Sequence, residues 1–84
     1  MCGIAIVPHE TCTNFELKRN WDYRGNDLGK AIIQNNYTDC CAECSKHDRC
    51  NAFTWNWMTH RCLLKSSIGN GGRSTRATHA GRRQ

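Results

Sequence analysis

Thr38-Asp39-Cys40-Cys41-Ala42-Glu43-Cys44-Ser45-Lys46-His47 is the stretch that decides the fold of this 84-residue chain. It carries the marks of an α-helix over about residues 38–47. Thr38 can cap its start, Asp39 and Glu43 sit early, and Lys46 and His47 sit late, each with the sign that the helix dipole favours. Cys40 and Cys44 are four apart and share one helix face, while Cys41 and Cys44, three apart, are also neighbours. Such pairs do not close comfortably within one helix, so each thiol is expected to reach another segment. Cys50 lies six residues past Cys44, near enough for the chain to double back from the helix end. Cys62 lies where it can meet Cys40 across a helix–sheet interface.

Outward from the helix, the polar–apolar pattern has a period of two. In Asn51 to Trp57, Ala52, Thr54 and Asn56 alternate with Phe53, Trp55 and Trp57. In Arg61 to Ser66, Cys62 and Leu64 alternate with Leu63 and Lys65. With Met58-Thr59-His60 between them, these runs predict a β-hairpin. Upstream, Phe15 and Leu17 alternate with Glu16 and Lys18 in a half-buried strand. Tyr23-Arg24-Gly25-Asn26-Asp27 is dense in turn formers. Leu28 and Ala31-Ile32-Ile33 should return to the core as a short extended piece, and Asn35-Asn36 forms another turn. Downstream, 66–74 reads as a Gly- and Ser-rich loop. Thr75 to Ala80 can add an edge strand, and residues 81–84 should fray. Residues 1–11, with Pro8, read as a lead-in, which leaves a domain over 12–80. The fold class is α+β.

Composition explains why the cysteines matter. Only twelve residues are Ile, Leu, Val or Phe, and the net charge is +5, a balance that ordinarily leaves a chain unfolded. Seven cysteines change that expectation, because small secreted domains use disulfides where a large core is lacking. One domain is expected at this length. No apolar run approaches the roughly 20 residues that cross a bilayer. Met1 to Val7 is apolar but lacks a basic start and a long apolar core, so an export signal is expected outside these residues. Charge is unevenly placed. Residues 61–84 carry Arg61, Lys65, Arg73, Arg76, Arg82 and Arg83 with no acid, which permits a polyanionic partner such as a sulfated glycan or a nucleic acid, although such a run is more commonly a solvated tail.

The blocks Asp22-Tyr23-Arg24-Gly25-Asn26-Asp27-Leu28, Thr38 to Cys44, Cys50-Asn51-Ala52-Phe53-Thr54-Trp55 and Cys62-Leu63-Leu64-Lys65-Ser66, in that order, resemble the PAN/Apple module over about residues 12–80. The resemblance implies a small disulfide-rich fold, about five antiparallel strands cradling one helix. It implies the helix-to-sheet bridges Cys40–Cys62 and Cys44–Cys50. Apple domains of clotting proteases add a bridge between their two ends, but here no cysteine follows Cys62. The doubled cysteine supplies Cys41 instead, with Cys12 as its expected partner, and Cys2 is left over. A rival reading has zinc held by Cys41, Cys44, His47 and Cys50, which would suit a nucleic-acid binder with the basic tail. Its spacing matches no common zinc finger, and it leaves Cys12, Cys40 and Cys62 idle.

No nucleophile elbow, phosphate loop or paired carboxylates point to an enzyme, and no cofactor is implied. Phe53 and Trp55 should face the core. Trp21, Tyr23, Trp57, His60 and Lys65 are the candidate ligand-binding residues, because exposed aromatics beside polar groups suit the faces and hydroxyls of sugars. Asn26 and Asp27 belong to a structural turn by the resemblance. Asn36-Tyr37-Thr38 is a glycosylation sequon. The expected function is a non-catalytic, secreted adhesion module with carbohydrate, host-protein or sister-adhesin partners. Similar modules occur in tandem in apicomplexan microneme adhesins and oomycete cellulose-binding lectins, which implies attachment to host cells. A docking module without sugar binding is the alternative.

Overall fold

The computed structural model describes residues 12–84, so Cys2 and the lead-in lie outside the described residues. Its helix, α1 (Tyr37–Lys46), begins just before the predicted start. Asn36 rather than Thr38 is the cap, because its Oδ1 accepts the Asp39 N–H at 2.9 Å. Asn is at least as good a cap as Thr, since its side-chain oxygen accepts the same orphan N–H. The other end is closed by the His47 N–H, which donates to the Cys44 carbonyl at 3.1 Å.

The described residues also form seven strands: β1 (Phe15–Lys18), β2 (Trp21–Asp22), β3 (Ile32–Ile33), β4 (Ala52–Asn56), β5 (Arg61–Lys65), β6 (Arg73–Ser74) and β7 (Thr78–Arg83). Five form one antiparallel sheet in the order β1-β7-β4-β5-β3, and β2 pairs with β6 in a separate ribbon. Two expectations need correction. The last strand is not at an edge but runs between β1 and β4, and residues 81–83, expected to fray, pair on both sides, Gly81 facing Leu17 and Phe53. A short basic run with a glycine looks unanchored in sequence. In the sheet, Gly81 is where the Phe53 ring needs room, since a Cβ there would overlap that ring and lie 3.1 Å from Leu17 Cδ2.

The helix covers one sheet face. Phe53 and Trp55 point into it as the alternation predicts, and Tyr37 lies against both, with ring centroids 5.6 and 6.3 Å away. Three disulfides fix α1 in place: Cys40–Cys62 to β5, Cys44–Cys50 to the approach of β4, and Cys12–Cys41 to the residues before β1. All six of these cysteines are buried, so sulfur makes up much of the core. Part of the opposite face is covered by a smaller cluster of Tyr23, Ala52 and Ala80, with Trp21 and Ile68 packed against it.

Candidate functional site

The open face of the sheet carries the side chains that alternate with Phe53 and Trp55. Thr54 and Asn56 from β4, Arg61 and Leu63 from β5 and Thr78 from β7 line a groove, with Asp22 and Thr59 completing it. Cross-strand register brings them together, since Thr54 faces Leu63 and Asn56 faces Thr78. The groove has a volume of about 290 Å³. Its walls hold three hydroxyls, one amide, one carboxylate and one guanidinium over a leucine. Asn56 is already oriented, because its Oδ1 accepts the N–H groups of Met58 and Thr59 at 2.8 and 3.0 Å, which leaves its amide N–H groups to donate outward. Neither Asp22 nor Arg61 forms an ion pair among the described residues. Hydrogen-bonding groups of both kinds therefore stand on paired strands. Such a surface can hold a polyhydroxylated ligand.

Of the residues singled out from sequence, Trp57 is exposed in the hairpin turn, between the groove residues Asn56 and Thr59. His60 adopts a positive φ of 64° in that turn, and its ring stacks on Trp55 at 5.8 Å. Trp21 is half-buried. Its indole N–H donates to the Gly71 carbonyl at 2.9 Å, and the Lys18 ammonium sits 3.8 Å over its ring.

Two candidates are corrected. Tyr23 is 2% exposed, buried against Ala52 and Ala80, and burial raises its phenol pKa, so it has no face to offer a ligand. Lys65 is 3% exposed, and its ammonium is hydrogen-bonded to the Asp27 carboxylate. A buried cation needs such a partner, which makes Asp27 structural as well. Asn36 is exposed, and its capping role uses Oδ1 only. Cys41, Cys44 and Cys50 are spent in disulfides, so the cysteines of the zinc reading are unavailable as thiolates.

Sequence reasoning did not single out the groove residues. The signal was present for Thr54 and Asn56, which alternate with the core side chains of β4. Thr78 and Asp22 join them only through strand pairing that the sequence does not show. Tyr37, also missed, donates its phenol hydrogen to the Ala80 carbonyl, and burial pushes its pKa up to about 12. It is thus a structural donor that ties helix to sheet.

The model of the PAN domain family matches residues 10–83. This chain belongs to the PAN domain family. Among solved structures, the two N-terminal apple domains of Toxoplasma gondii microneme protein 4 are similar to it. The match has 24% identity and a TM-score of 0.72, covering 87% of this chain and 46% of that one. That likeness concerns the fold, and this PAN domain spans about half the length of the two-domain structure. No curated protein matches the chain. The fold expected from sequence, one helix on a five-stranded antiparallel sheet, is the apple fold that the structure shows. PAN and apple domains generally serve as non-catalytic adhesion modules that bind proteins or carbohydrates. Among the described residues, no helix is long and apolar enough to cross a membrane.

Proposed function

We propose that this PAN domain is a non-catalytic extracellular adhesion module, one repeat of a microbial adhesin, and that it binds carbohydrate through the open face of its sheet. The observation that carries the reading is the polar groove of Asp22, Thr54, Asn56, Thr59, Arg61, Leu63 and Thr78. Sugar affinity rests on hydrogen bonds to fixed side chains and on an apolar contact with a ring face. The groove supplies the first from paired strands, and Leu63 within it supplies the second. Three disulfides suit an oxidising compartment, and the fold neighbour from a parasite microneme protein supports a role in host-cell attachment. Exposed Leu17, Ile33, Trp57 and Met58 favour a second reading, docking to another protein.

A glycan array followed by amide-shift titration with the best neutral sugar tests the first. Binding should perturb residues 54–63 and 78, and Asn56→Ala should weaken it about tenfold, the cost of one or two lost polar contacts. An empty array with capture of a defined protein partner would select the docking reading instead.

A further inference from the structure

Strand β1 is one edge of the main sheet, and among the described residues no strand lies on its outer side. We infer that this edge binds a second copy of the chain, β1 pairing antiparallel with β1 about a two-fold axis at Leu17. The inference does not depend on sugar binding in the sheet groove.

The main chain is the first reason. The Gln84 N–H donates to the Asn14 carbonyl at 2.7 Å, which extends the β1–β7 ladder by one hydrogen-bonded pair. Such pairs alternate along an antiparallel ladder. Glu16 and Lys18 therefore direct their main-chain groups to β7, while Phe15 and Leu17 direct theirs outward. Among the described residues nothing bonds those outward groups. Natural sheets often blunt an exposed edge with a proline or a bulge. Phe15-Glu16-Leu17-Lys18 has neither, since its four residues face β7 one to one. The opposite edge, β3, is only two residues long and offers far less to pair with.

The side chains are the second reason, and they select both the partner and the register. Leu17 is 46% exposed, a large apolar group on an open edge. With the axis at Leu17, the two leucines meet and exchange both of their main-chain bonds. Glu16 then stands opposite Lys18 of the second copy, and Lys18 opposite its Glu16. These are the closely spaced positions of the ladder, where cross-strand charges act most strongly. Sliding one strand by two residues sets Glu16 against Glu16 or Lys18 against Lys18, and like charges directly opposite oppose pairing. The edge is thus complementary to itself in one register. Both groups are placed for it. The Glu16 carboxylate is half exposed with Arg82 3.7 Å away, which leaves room for a second cation. The Lys18 ammonium rests 3.8 Å over the Trp21 ring, on the same face of the strand as Glu16.

An axis perpendicular to the sheet keeps both helices on one side and both open faces on the other. The two sheet grooves then point the same way, so a pair of domains can meet a repetitive surface with two sites at once. The contact is short, and its Kd is expected on the order of 100 µM to 1 mM.

The test uses the full chain with Cys2→Ser, so that no intermolecular disulfide contributes, and follows sedimentation and amide shifts over a concentration series into the millimolar range. The mean mass should rise toward that of a dimer, with shifts concentrated at residues 15–19. Glu16→Lys and Lys18→Glu each set like charges opposite one another and should weaken pairing about tenfold. Mixing these two variants should restore it, because each then meets the opposite charge, and so should the exchange E16K/K18E within one chain. Amide dispersion elsewhere should be unchanged in all three. Leu17→Pro removes an N–H that no bond within the domain uses and should abolish pairing. A mass that stays monomeric throughout would overturn the inference, as would shifts centred on another surface such as Trp57 and Met58. Single variants that pair as well as the parent, or a mixture that pairs no better than either alone, would overturn it too.

Discussion

The guanidinium of Arg83 shows how much a single side chain can carry in a domain with little apolar core. Its Nη2 donates to the Cys44 carbonyl at 2.9 Å and to that of His47 at 3.4 Å, and its Nε donates to Cys50 at 3.0 Å. The plane also lies 5.1 Å from the Phe15 ring centroid. A cation at the end of a helix suits the dipole there, and the three carbonyls flank the Cys44–Cys50 bridge. Arg83→Ala is therefore expected to destabilise the domain by about 2 kcal/mol, the range for hydrogen bonds to a charged donor. Arg82→Ala next to it, where the side chain is exposed and Glu16 lies 3.7 Å away, should cost under about 0.5 kcal/mol. Equal midpoints in urea for the two variants would show that the clamp contributes nothing beyond surface charge.

At the scale of elements, β7 is what makes the sheet continuous. It pairs with β1 through residues 80–83 and with β4 through residues 78–82, so it connects the N-terminal strand to the hairpin. A chain ending at Ala80 keeps only the Lys18 pairing to β1 and loses those of Phe15, Glu16 and Leu17. Hydrogen exchange should then show protection lost at 15–17, while the β4–β5 amides stay protected. Unchanged protection at 15–17 would mean that the Cys12–Cys41 bridge holds β1 without β7. The same strand marks where sequence reading runs out. The helix and the hairpin were legible because their signals are local: a cap, paired charges, a period of two. The register of β7 depends on what lies beside it, and nothing in Thr78-His79-Ala80-Gly81-Arg82-Arg83 reports a Phe53 ring waiting over Gly81. The candidate site suffered for the same reason. Tyr23 and Lys65 look like surface residues in a turn and a strand end, and only the packing of Ile68, Ala80 and Asp27 around them shows why they are inside.

For the whole molecule, covalent links take the place of burial. The buried apolar set consists of six cysteines with a handful of aromatic and small residues, and two clusters share it on opposite faces of one sheet. So small a core supplies only about 3–5 kcal/mol. The bridges spanning 22 and 29 residues each remove about 3 kcal/mol of chain entropy from the unfolded state, whereas the bridge spanning six contributes less. Together the two long bridges match or exceed the core's share, so full reduction should unfold the domain outright rather than loosen it. Amide dispersion should collapse in strong reductant at neutral pH and return on reoxidation. The pair Cys40→Ser with Cys62→Ser isolates one link, the one that holds α1 directly against the central hairpin, and should be the most damaging of the three paired replacements. Cys44→Ser with Cys50→Ser should be the mildest, because its loop is short and Arg83 still clamps the same helix end. Dispersion that persists after complete reduction would mean that packing around Phe53, Trp55 and Tyr37 holds the fold without help from sulfur.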